Sequence, residues 1–408
     1  MWRLVLAIAV LLIIPGIWSS FWLLSVTLLL LILISLFNRL WLRSIPKRVR
    51  LQRSMPGQAY VGDKIEVELT VHNTGILPVP WLTLQDFVPV SLQAIPRPEY
   101  LIALHGHEKI RLSYKLDCKR RGRYRVGPFE GQAGTLYDTT KDGMGETLGW
   151  RQQVKLVVYP VIVPLEQLQL PSRLPLGNLR TRQPLLPDPS RIAGVREYQP
   201  GDDPRHIDWR NTARLNQLQV RQFERTRIIP LALFLDLRAP DMQFIWRQVA
   251  EASIVVAASL ANRANELNQA FGLYSNGYDP GWETGTLIDL ELGRPEMQPH
   301  SGNAWLYEVL DKLAGIEIRT DTPHIEQNIG RWTSKLAWGA TIALISFEPY
   351  PELVTELGRL RKSGFAVIAI FTAGQQKSFG AGAALDALRS VGIAVFDITF
   401  PGELNVVK

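Results

Sequence analysis

The sequence predicts an α+β multidomain protein with three parts: an N-terminal transmembrane hairpin, an antiparallel β-sandwich and a C-terminal doubly wound α/β domain. Three observations support this prediction. The chain of 408 residues begins with a long uncharged apolar segment, continues with short segments of period-two alternation, and ends in apolar strands that alternate with amphipathic helices. The length also fits two or three domains of about 100–200 residues each.

The first segment predicts membrane insertion. No charged side chain occurs between Arg3 and Arg39. A single helix over that stretch would be much longer than a hydrocarbon core of about 30 Å, and Pro15 with Gly16 provides a natural break. We therefore predict two transmembrane helices within residues 1–42, with a single tilted span as the alternative.

Basic residues predict how the membrane segment is oriented. Arg3 precedes the apolar segment, and five more basic residues follow it: Arg39, Arg43, Lys47, Arg48 and Arg50. By the positive-inside rule, both ends of a hairpin then face the cytoplasm. The sequence thus predicts a multi-pass protein of the cell membrane whose soluble domains are cytoplasmic.

Residues 51–160 show the pattern of antiparallel strands. The segments YVGDKIEVELTVHNTG and EKIRLSYKLDCKRRGRYRVGPFEG alternate apolar and polar residues around Gly and Asn turns. Several short strands separated by such turns are typical of a β-sandwich with immunoglobulin-like architecture. Residues 161–190 are rich in proline and leucine, and we interpret them as an extended connector.

Residues 228–408 predict the doubly wound α/β domain. The apolar segment IIPLALFLD has the composition of a buried parallel strand and ends at Asp236. Amphipathic helices and further apolar strands then alternate to the end of the chain. Ligands of such folds bind at the carboxyl ends of the strands, so Asp236 and residues 346–348 mark the edge where a site is expected.

General composition excludes little. The net charge of +7 is spread along the chain and permits either a membrane surface or nucleic acid as a partner. The single cysteine, Cys118, cannot form an internal disulfide, so the sequence does not require an oxidising compartment. The sequence contains no Walker A loop, GxSxG elbow, CxxC or HExxH motif, and no small-molecule substrate is evident.

The segment of residues 191–227 has the densest polar pattern in the chain. Its distinctive positions are Gly194-Val195-Arg196-Glu197-Tyr198, Pro200-Gly201-Asp202-Asp203, Arg205, Ile207-Asp208-Trp209, Ala213-Arg214, Val220-Arg221 and Glu224. This signature resembles the bacterial and archaeal family called domain of unknown function 58. The resemblance implies a membrane anchor, a β-rich domain and a von Willebrand factor type A-like domain. It also implies a MoxR-type AAA+ ATPase as partner, in the assembly or maturation of other proteins.

The von Willebrand type A resemblance also raises the question of a metal. That class often holds a divalent ion through an Asp-x-Ser-x-Ser loop, with a distant Thr and acid completing the oxygen ligands. The corresponding loop here has neither hydroxyl, and the degenerate site comprises Asp236, Arg238, Pro240, Asn303 and Glu348. We expect no bound metal or other cofactor, and a salt bridge between Asp236 and Arg238 in place of the ion.

We interpret the signature as a structural scaffold, a partner-contact surface, or both. Its candidate residues are Arg196, Tyr198, Gly201, Asp202, Asp203, Arg205, Asp208, Trp209, Arg214 and Arg221. In the scaffold interpretation, residues 200–203 form a tight turn and Asp208 caps a short helix. The following strand QVRQFE then lies beside IIPLALFLD, acids pair with Arg196, Arg205 and Arg210, and Trp209 and Tyr198 pack beneath.

Three alternatives remain at this stage. Asp202, Asp203 and His206 would support an enzyme only if they converged in an open cleft. The interleaved arginines and aromatic residues would suit nucleic acid, but the acids between them would repel phosphates, so we expect no nucleic-acid partner. The third alternative is a divalent-metal-dependent, adhesion-type binding domain. We favour a non-enzymatic membrane-anchored scaffold or adaptor, whose client and oligomeric state the sequence leaves open.

Overall fold

The computed structural model describes residues 22–134, 146–168, 170–171, 192–223, 229–238, 244–282, 294–319, 321–373 and 381–398. The chain divides into two compact units, residues 1–158 and residues 159–408. The first predicted membrane crossing and most of the predicted connector lie outside the described residues.

Helix α1 (Trp22–Arg48) is the one described helix that is long and apolar enough to cross a membrane. Its mean hydropathy reaches 2.2, and at about 1.5 Å per residue it exceeds the thickness of a bilayer core. Large apolar side chains such as Leu24, which is 66% exposed, cover its surface. The helix continues beyond residue 42 because Leu42 and Ile45 are buried in the core of the first unit.

The strands of the first unit follow α1 directly. They are β1 (Val49–Ser54), β2 (Gln58–Tyr60), β3 (Lys64–Asn73), β4 (Val79–Asp86), β5 (Leu92–Ile95), β6 (Glu99–Leu104), β7 (Lys109–Cys118), β8 (Gly122–Val126), β9 (Phe129–Gly134), β10 (Glu146–Trp150) and β11 (Val154–Tyr159). The sheet orders are β1-β3-β7-β5, β10-β9-β4-β6 and β2-β11-β8. Both four-stranded sheets are antiparallel, as the period-two pattern indicates.

The two four-stranded sheets of this unit share one hydrophobic core. Buried and exposed residues alternate along β1 and β3, so each strand turns one face inward. Leu69 of β3 and Leu84 of β4 belong to the same buried cluster, although they lie in different sheets. Two sheets packed on a common core are typical of a β-sandwich.

A buried ion pair joins the same two sheets. Arg53 on β1 donates from Nη2 to Asp86 Oδ1 on β4 at 2.5 Å, and both side chains are fully buried. The Tyr114 hydroxyl donates to Asp86 Oδ2, and Arg53 Nη1 donates to the Val126 carbonyl at 2.6 Å. The guanidinium also lies 4.1 Å from the centre of the Phe129 ring. Removal of the carboxylate would leave a buried cation without its counterion.

We expect Asp86→Ala to destabilise the first unit by about 3–5 kcal/mol, because breaking a buried pair leaves Arg53 uncompensated. The measurement is calorimetric unfolding of the full-length protein in detergent. Glu66→Ala, which removes an exposed carboxylate from β3, is the control and should change stability little. Equal melting of both variants would show that the buried pair contributes no more than a surface charge.

The second unit contains the signature and the α/β elements. Its helices are α2 (Trp209–Leu215), α3 (Phe244–Glu266), α4 (Asn303–Gly315), α5 (Glu326–Thr333), α6 (Pro351–Lys362) and α7 (Ala381–Ser390), with a 3-10 helix at Pro204–His206. Its strands are β12 (Ile192–Glu197), β13 (Gln219–Phe223), β14 (Leu231–Leu235), β15 (Phe271–Ser275), β16 (Glu296–His300), β17 (Thr341–Ser346), β18 (Ala366–Phe371) and β19 (Ala394–Asp397).

Six of these strands form one sheet in the order β16-β15-β14-β17-β18-β19. All neighbours are parallel except β16, an antiparallel edge strand that the sequence pattern did not indicate. Counted in chain order, the strands run 3-2-1-4-5-6, and the order reverses between β14 and β17. The carboxyl ends of β14 and β17 therefore frame the crevice where such sheets bind ligands.

Helices cover both faces of this sheet. Phe234 and Leu344 point to the face covered by α5, α6 and α7, where Trp332 and Leu357 complete a buried cluster. Helix α3 packs against β14, β15 and β17 and also contacts α4. The sequence prediction was wrong about β13: this strand pairs with β12, whereas β14 lies between β15 and β17. The signature thus forms its own small sheet.

Candidate functional site

The signature folds as a hairpin with a helical insertion. Strands β12 and β13 pair in antiparallel fashion, and the 3-10 helix and α2 lie between them. Backbone hydrogen bonds continue the pairing inward: Tyr198 N–H donates to the Leu218 carbonyl at 2.9 Å, and Asp208 N–H donates to the Gln219 carbonyl at 2.8 Å. Residues 199–207 therefore start and end at fixed positions.

Asp202 holds the predicted tight turn. The chain reverses with Gly201 at φ 107°, a conformation that favours glycine, and Asp202 N–H donates to the Gln199 carbonyl at 3.0 Å. Arg196 donates two hydrogen bonds to the Asp202 carboxylate, at 2.8 and 2.6 Å, in the expected bidentate form. These bonds from Arg196, followed by one from the Gln199 backbone, lower the pKa of Asp202, so the carboxylate is an ionised structural partner.

Asp208 and Asp203 cap the helical elements. Asp208 Oδ1 accepts from the backbone N–H groups of Arg210 and Asn211 at 3.1 and 3.2 Å, as predicted for the start of α2. The bond from Asn211 is the main cause of the lowered pKa of Asp208. Asp203 accepts from Arg205 N–H at 2.9 Å and caps the 3-10 helix. Asp202 and Asp203 are thus both held in structural hydrogen bonds instead of forming an acid–base pair.

Helix α2 packs through its polar side. The Thr212 hydroxyl accepts from Gln219 N–H at 3.0 Å, and Asn211 and Thr212 are half-buried. Trp209, in contrast, is 67% exposed, and no residue of α2 is buried. The expectation that Trp209 packs beneath the signature is therefore wrong, and Tyr198 is half-buried. A hydrogen bond thus holds the inner side of the helix, and its largest apolar side chain is exposed.

Three exposed arginines lie within five residues of Trp209 in the sequence. Arg205, Arg210 and Arg214 are exposed, and none lies within ion-pair distance of an acid among the described residues. The expected pairs of acids with Arg205 and Arg210 do not form; Arg196 pairs with Asp202, and Arg221 lies 3.5 Å from Asp208. We call the exposed set Arg205, Trp209, Arg210 and Arg214 the Trp209 surface.

The carboxyl edge of the six-stranded sheet holds a second polar cluster. Asp236, which follows β14, is only 2% exposed. Its Oδ1 accepts from Asn276 Nδ2 at 2.7 Å and from Arg238 N–H at 3.2 Å, and its Oδ2 accepts from the Ser346 hydroxyl at 2.9 Å. Burial raises the pKa of Asp236 in spite of these three donors. The cluster connects the ends of β14, β15 and β17.

Arg238 does not form the expected salt bridge with Asp236. Its backbone N–H bonds the carboxylate, but its guanidinium Nη1 lies 3.0 Å from His324 Nδ1. His324 Nδ1 is also 3.1 Å from Glu326 Oε1, and the Tyr350 hydroxyl donates to Glu326 Oε2 at 2.8 Å. The salt-bridge prediction was wrong because neighbouring hydroxyl and amide donors, together with the backbone, satisfy the buried carboxylate.

The other residues of the degenerate metal site do not assemble around Asp236. Asn303 begins α4 and accepts from Asn265 Nδ2 at 2.7 Å near the end of α3, which places it at the amino edge of the sheet. Glu348 follows β17 at the carboxyl edge, and Pro240 lies outside the described residues. Within the described part of the chain, no three His, Cys, Asp or Glu side chains group closely enough to hold a metal ion.

Sequence reasoning missed four members of the Asp236 cluster: Asn276, His324, Glu326 and Tyr350. Asn276 had a usable signal, because it directly follows the strand that became β15. The others lie in or next to loops, and only the fold brings them to this edge.

The architecture defines the class of protein: an apolar N-terminal helix, a β-rich unit and a mostly parallel α/β unit that carries the signature hairpin. Residues 194–281 match the family model described as "Protein of unknown function DUF58". The resemblance drawn from the signature is thereby confirmed, and this segment belongs to that family.

A curated relative extends the likeness beyond the signature. The "Uncharacterized protein YeaD" of Bacillus subtilis (strain 168) is 24% identical over 225 residues, which is 54% of this chain and 54% of the relative. The chain therefore spans about half the length of the curated relative it matches.

Likenesses to solved structures are weak. A CARDB domain from Pyrococcus furiosus in complex with di-metal ions is 15% identical and covers 28% of this chain and 90% of its own, with a TM-score of 0.19. Native alpha-2-macroglobulin from Escherichia coli is 15% identical and covers 28% of this chain and 17% of its own, with a TM-score of 0.23. Scores this low carry no argument about fold or function.

The buried Asp236 carboxyl predicts a pH dependence of stability. Burial raises the folded-state pKa of this carboxyl above its ordinary value of 3.8. Between pH 3.8 and the folded-state pKa, the folded protein therefore binds more protons than the unfolded chain. The stability that this extra proton binding contributes is fully present below pH 3.8 and is lost as the pH rises through the folded-state pKa. Wild-type stability relative to the near-isosteric Asp236→Asn should therefore fall with rising pH.

The measurement is the unfolding midpoint of both proteins over a pH series, with the exposed Asp386→Asn as control. A difference between wild type and Asp236→Asn that stays constant with pH would contradict the raised pKa.

We expect magnesium and manganese to leave the melting temperature unchanged. Three donors occupy the Asp236 carboxylate and Asn303 lies at the opposite edge, so binding to this site should add no stability. Thermal melting of the full-length protein with and without millimolar metal tests this. A metal-dependent rise that Asp236→Asn abolishes would restore the adhesion-type alternative.

Proposed function

We propose that this protein is a non-enzymatic, membrane-anchored scaffold or adaptor whose signature segment contacts a protein partner. The observation that carries the proposal is the Trp209 surface: a tryptophan 67% exposed, within five residues of three exposed arginines that have no acid partner among the described residues. Exposed aromatic and arginine side chains are enriched where proteins bind one another.

In this proposal the signature is both a structural scaffold and a partner-contact surface. Its inner side, with Arg196, Asp202 and Asp208, holds the turn and helix in place. Its outer side presents Trp209 and Arg214 to solvent. Scaffold and partner surface therefore use different residues of the same short segment, and variants can separate the two roles.

Membrane attachment defines where the adaptor acts. Helix α1 supports a tether, and in our proposal it is the second helix of a hairpin that leaves both soluble units in the cytoplasm. A tether confines the partner to the membrane surface and raises its effective concentration there.

We further propose that the partner is a MoxR-type AAA+ ATPase and that the pair acts in the assembly or maturation of other proteins. This part of the proposal follows from the family resemblance. The 3-2-1-4-5-6 strand order with its antiparallel edge strand supports a von Willebrand factor type A-like α/β domain as the interaction module. The carboxylate oxygens of Asp236 already accept hydrogen bonds from Asn276 and Ser346, which favours a partner contact that needs no metal.

The test is affinity purification of the full-length protein from its own host membranes in mild detergent, followed by identification of what is recovered. We expect an AAA+ ATPase with the wild type and its loss with Trp209→Ala or Arg214→Glu. Trp338→Ala and Arg361→Glu are matched controls, because Trp338 is 71% exposed and Arg361 is also exposed.

Two results would contradict the proposal. Recovery of the ATPase with all variants alike would place the contact elsewhere on the chain. If the correctly folded wild-type protein recovers no partner, the proposed adaptor role is wrong. Asp208→Ala tests the inner side separately: loss of the helix cap should lower stability by about 1 kcal/mol.

A further inference from the structure

We infer that the Trp209 surface binds an acidic segment of its partner, one in which carboxylates alternate with other residues and an apolar side chain lies nearby. This inference rests on the proposed function and specifies the chemistry of the contact. It follows from the charges left over on the signature, the geometry of α2 and the position of Trp209.

Local contacts hold three acids of the signature. Asp202 is held by two bonds from Arg196, Asp208 caps α2 and lies beside Arg221, and Asp203 caps the 3-10 helix. The acids bordering α2 are therefore held in local contacts, while Arg205, Arg210 and Arg214 stay exposed without an acid partner in the described part of the chain. Three unpaired arginines thus outnumber the two exposed acids without a cation partner, Glu197 and Asp203, and the unpaired charge of the described signature is net positive.

The geometry favours carboxylates on an extended segment. Arg210 and Arg214 are four residues apart on α2, so they are neighbours, with Cβ atoms about 5–6 Å apart. In an extended chain, residues i and i+2 point the same way about 6.6 Å apart. Two acids in an acid-x-acid pattern can therefore each receive one guanidinium, whose planar donors match a carboxylate.

Trp209 supplies the apolar part of the contact. It precedes Arg210 on the helix, and the side chain four residues further on, Ala213, is exposed and small. Binding hot spots are enriched in tryptophan and arginine side chains that become buried and desolvated in the complex. A purely acidic segment would leave Trp209 uncovered, so the partner segment should carry an apolar side chain.

A protein segment fits this surface better than nucleic acid does. A nucleic acid would present evenly spaced phosphates to Asp203 and Glu197 as well as to the arginines, and both acids are exposed. The Trp209 surface also offers one aromatic ring for stacking, whereas nonspecific binding of single-stranded nucleic acid uses several successive rings. A peptide can place its carboxylates opposite the arginines alone.

The experiment uses the full-length protein in nonionic detergent and a fluorescent peptide with alternating glutamates and one central leucine. We expect binding that weakens with salt, and a loss of about tenfold or more in affinity with Trp209→Ala or with Arg210→Glu/Arg214→Glu. Trp338→Ala and Arg361→Glu should bind like wild type. A peptide with lysine at each glutamate should not bind, and a peptide without leucine should bind more weakly.

Several outcomes would overturn the inference. They are failure of the acidic peptide to bind folded wild type, equal binding by the Trp209-surface variants, and preferential binding of oligothymidine or phosphatidylglycerol vesicles. If the peptide fails while these variants still lose the ATPase in host membranes, the acidic-segment inference is wrong and the proposed function stands. If the peptide binds as expected but the ATPase is recovered equally with all variants, the surface chemistry is supported and the proposed partnership is wrong.

Discussion

Hydrogen-bonded carboxylates hold the turn and the helix of the signature segment in place, and the rest of the segment depends on this constraint. Arg196 fixes the Asp202 carboxylate, and Asp208 holds the start of α2 against β13. These polar contacts hold the inner side of the hairpin, and Trp209 is exposed on the outside. In our proposal, a structural role for the acids and a binding role for the outer residues arise from the same arrangement.

Protein donors also satisfy the Asp236 carboxylate at the carboxyl edge of the sheet. Its carboxylate lies at the reversal of strand order and is bonded by Asn276, Ser346 and the Arg238 backbone. Three protein donors occupy the oxygens that a cation would use, while the Arg238 guanidinium is directed to His324. These two polar clusters therefore satisfy their buried or half-buried acids internally. In our account, protein contacts are made by exposed cations and aromatic rings.

The sequence predicted local structure well and long-range contacts poorly. The long uncharged apolar segment indicated helix α1, periodicity indicated the antiparallel strands and the alternating α/β elements, and Asp208 marked the start of α2. The strand partner of β13 was wrong because apolar content shows that a strand forms but not which neighbour it pairs with. The orientation of Trp209 was also wrong, since burial depends on what the fold places beneath a side chain. The Arg238–His324 contact joins residues far apart in sequence.

The most direct test of this account is site-specific photocrosslinking in host membranes from position 213. Ala213 is exposed one turn from Trp209, so a photoreactive phenylalanine there samples the surface while Trp209 and its arginines stay intact. The account predicts a crosslink to a MoxR-type AAA+ ATPase from position 213 and none from position 361. Two results would contradict the claim that the signature is the partner surface. In the first, position 213 crosslinks only to other parts of the same chain. In the second, positions 213 and 361 crosslink equally to the ATPase.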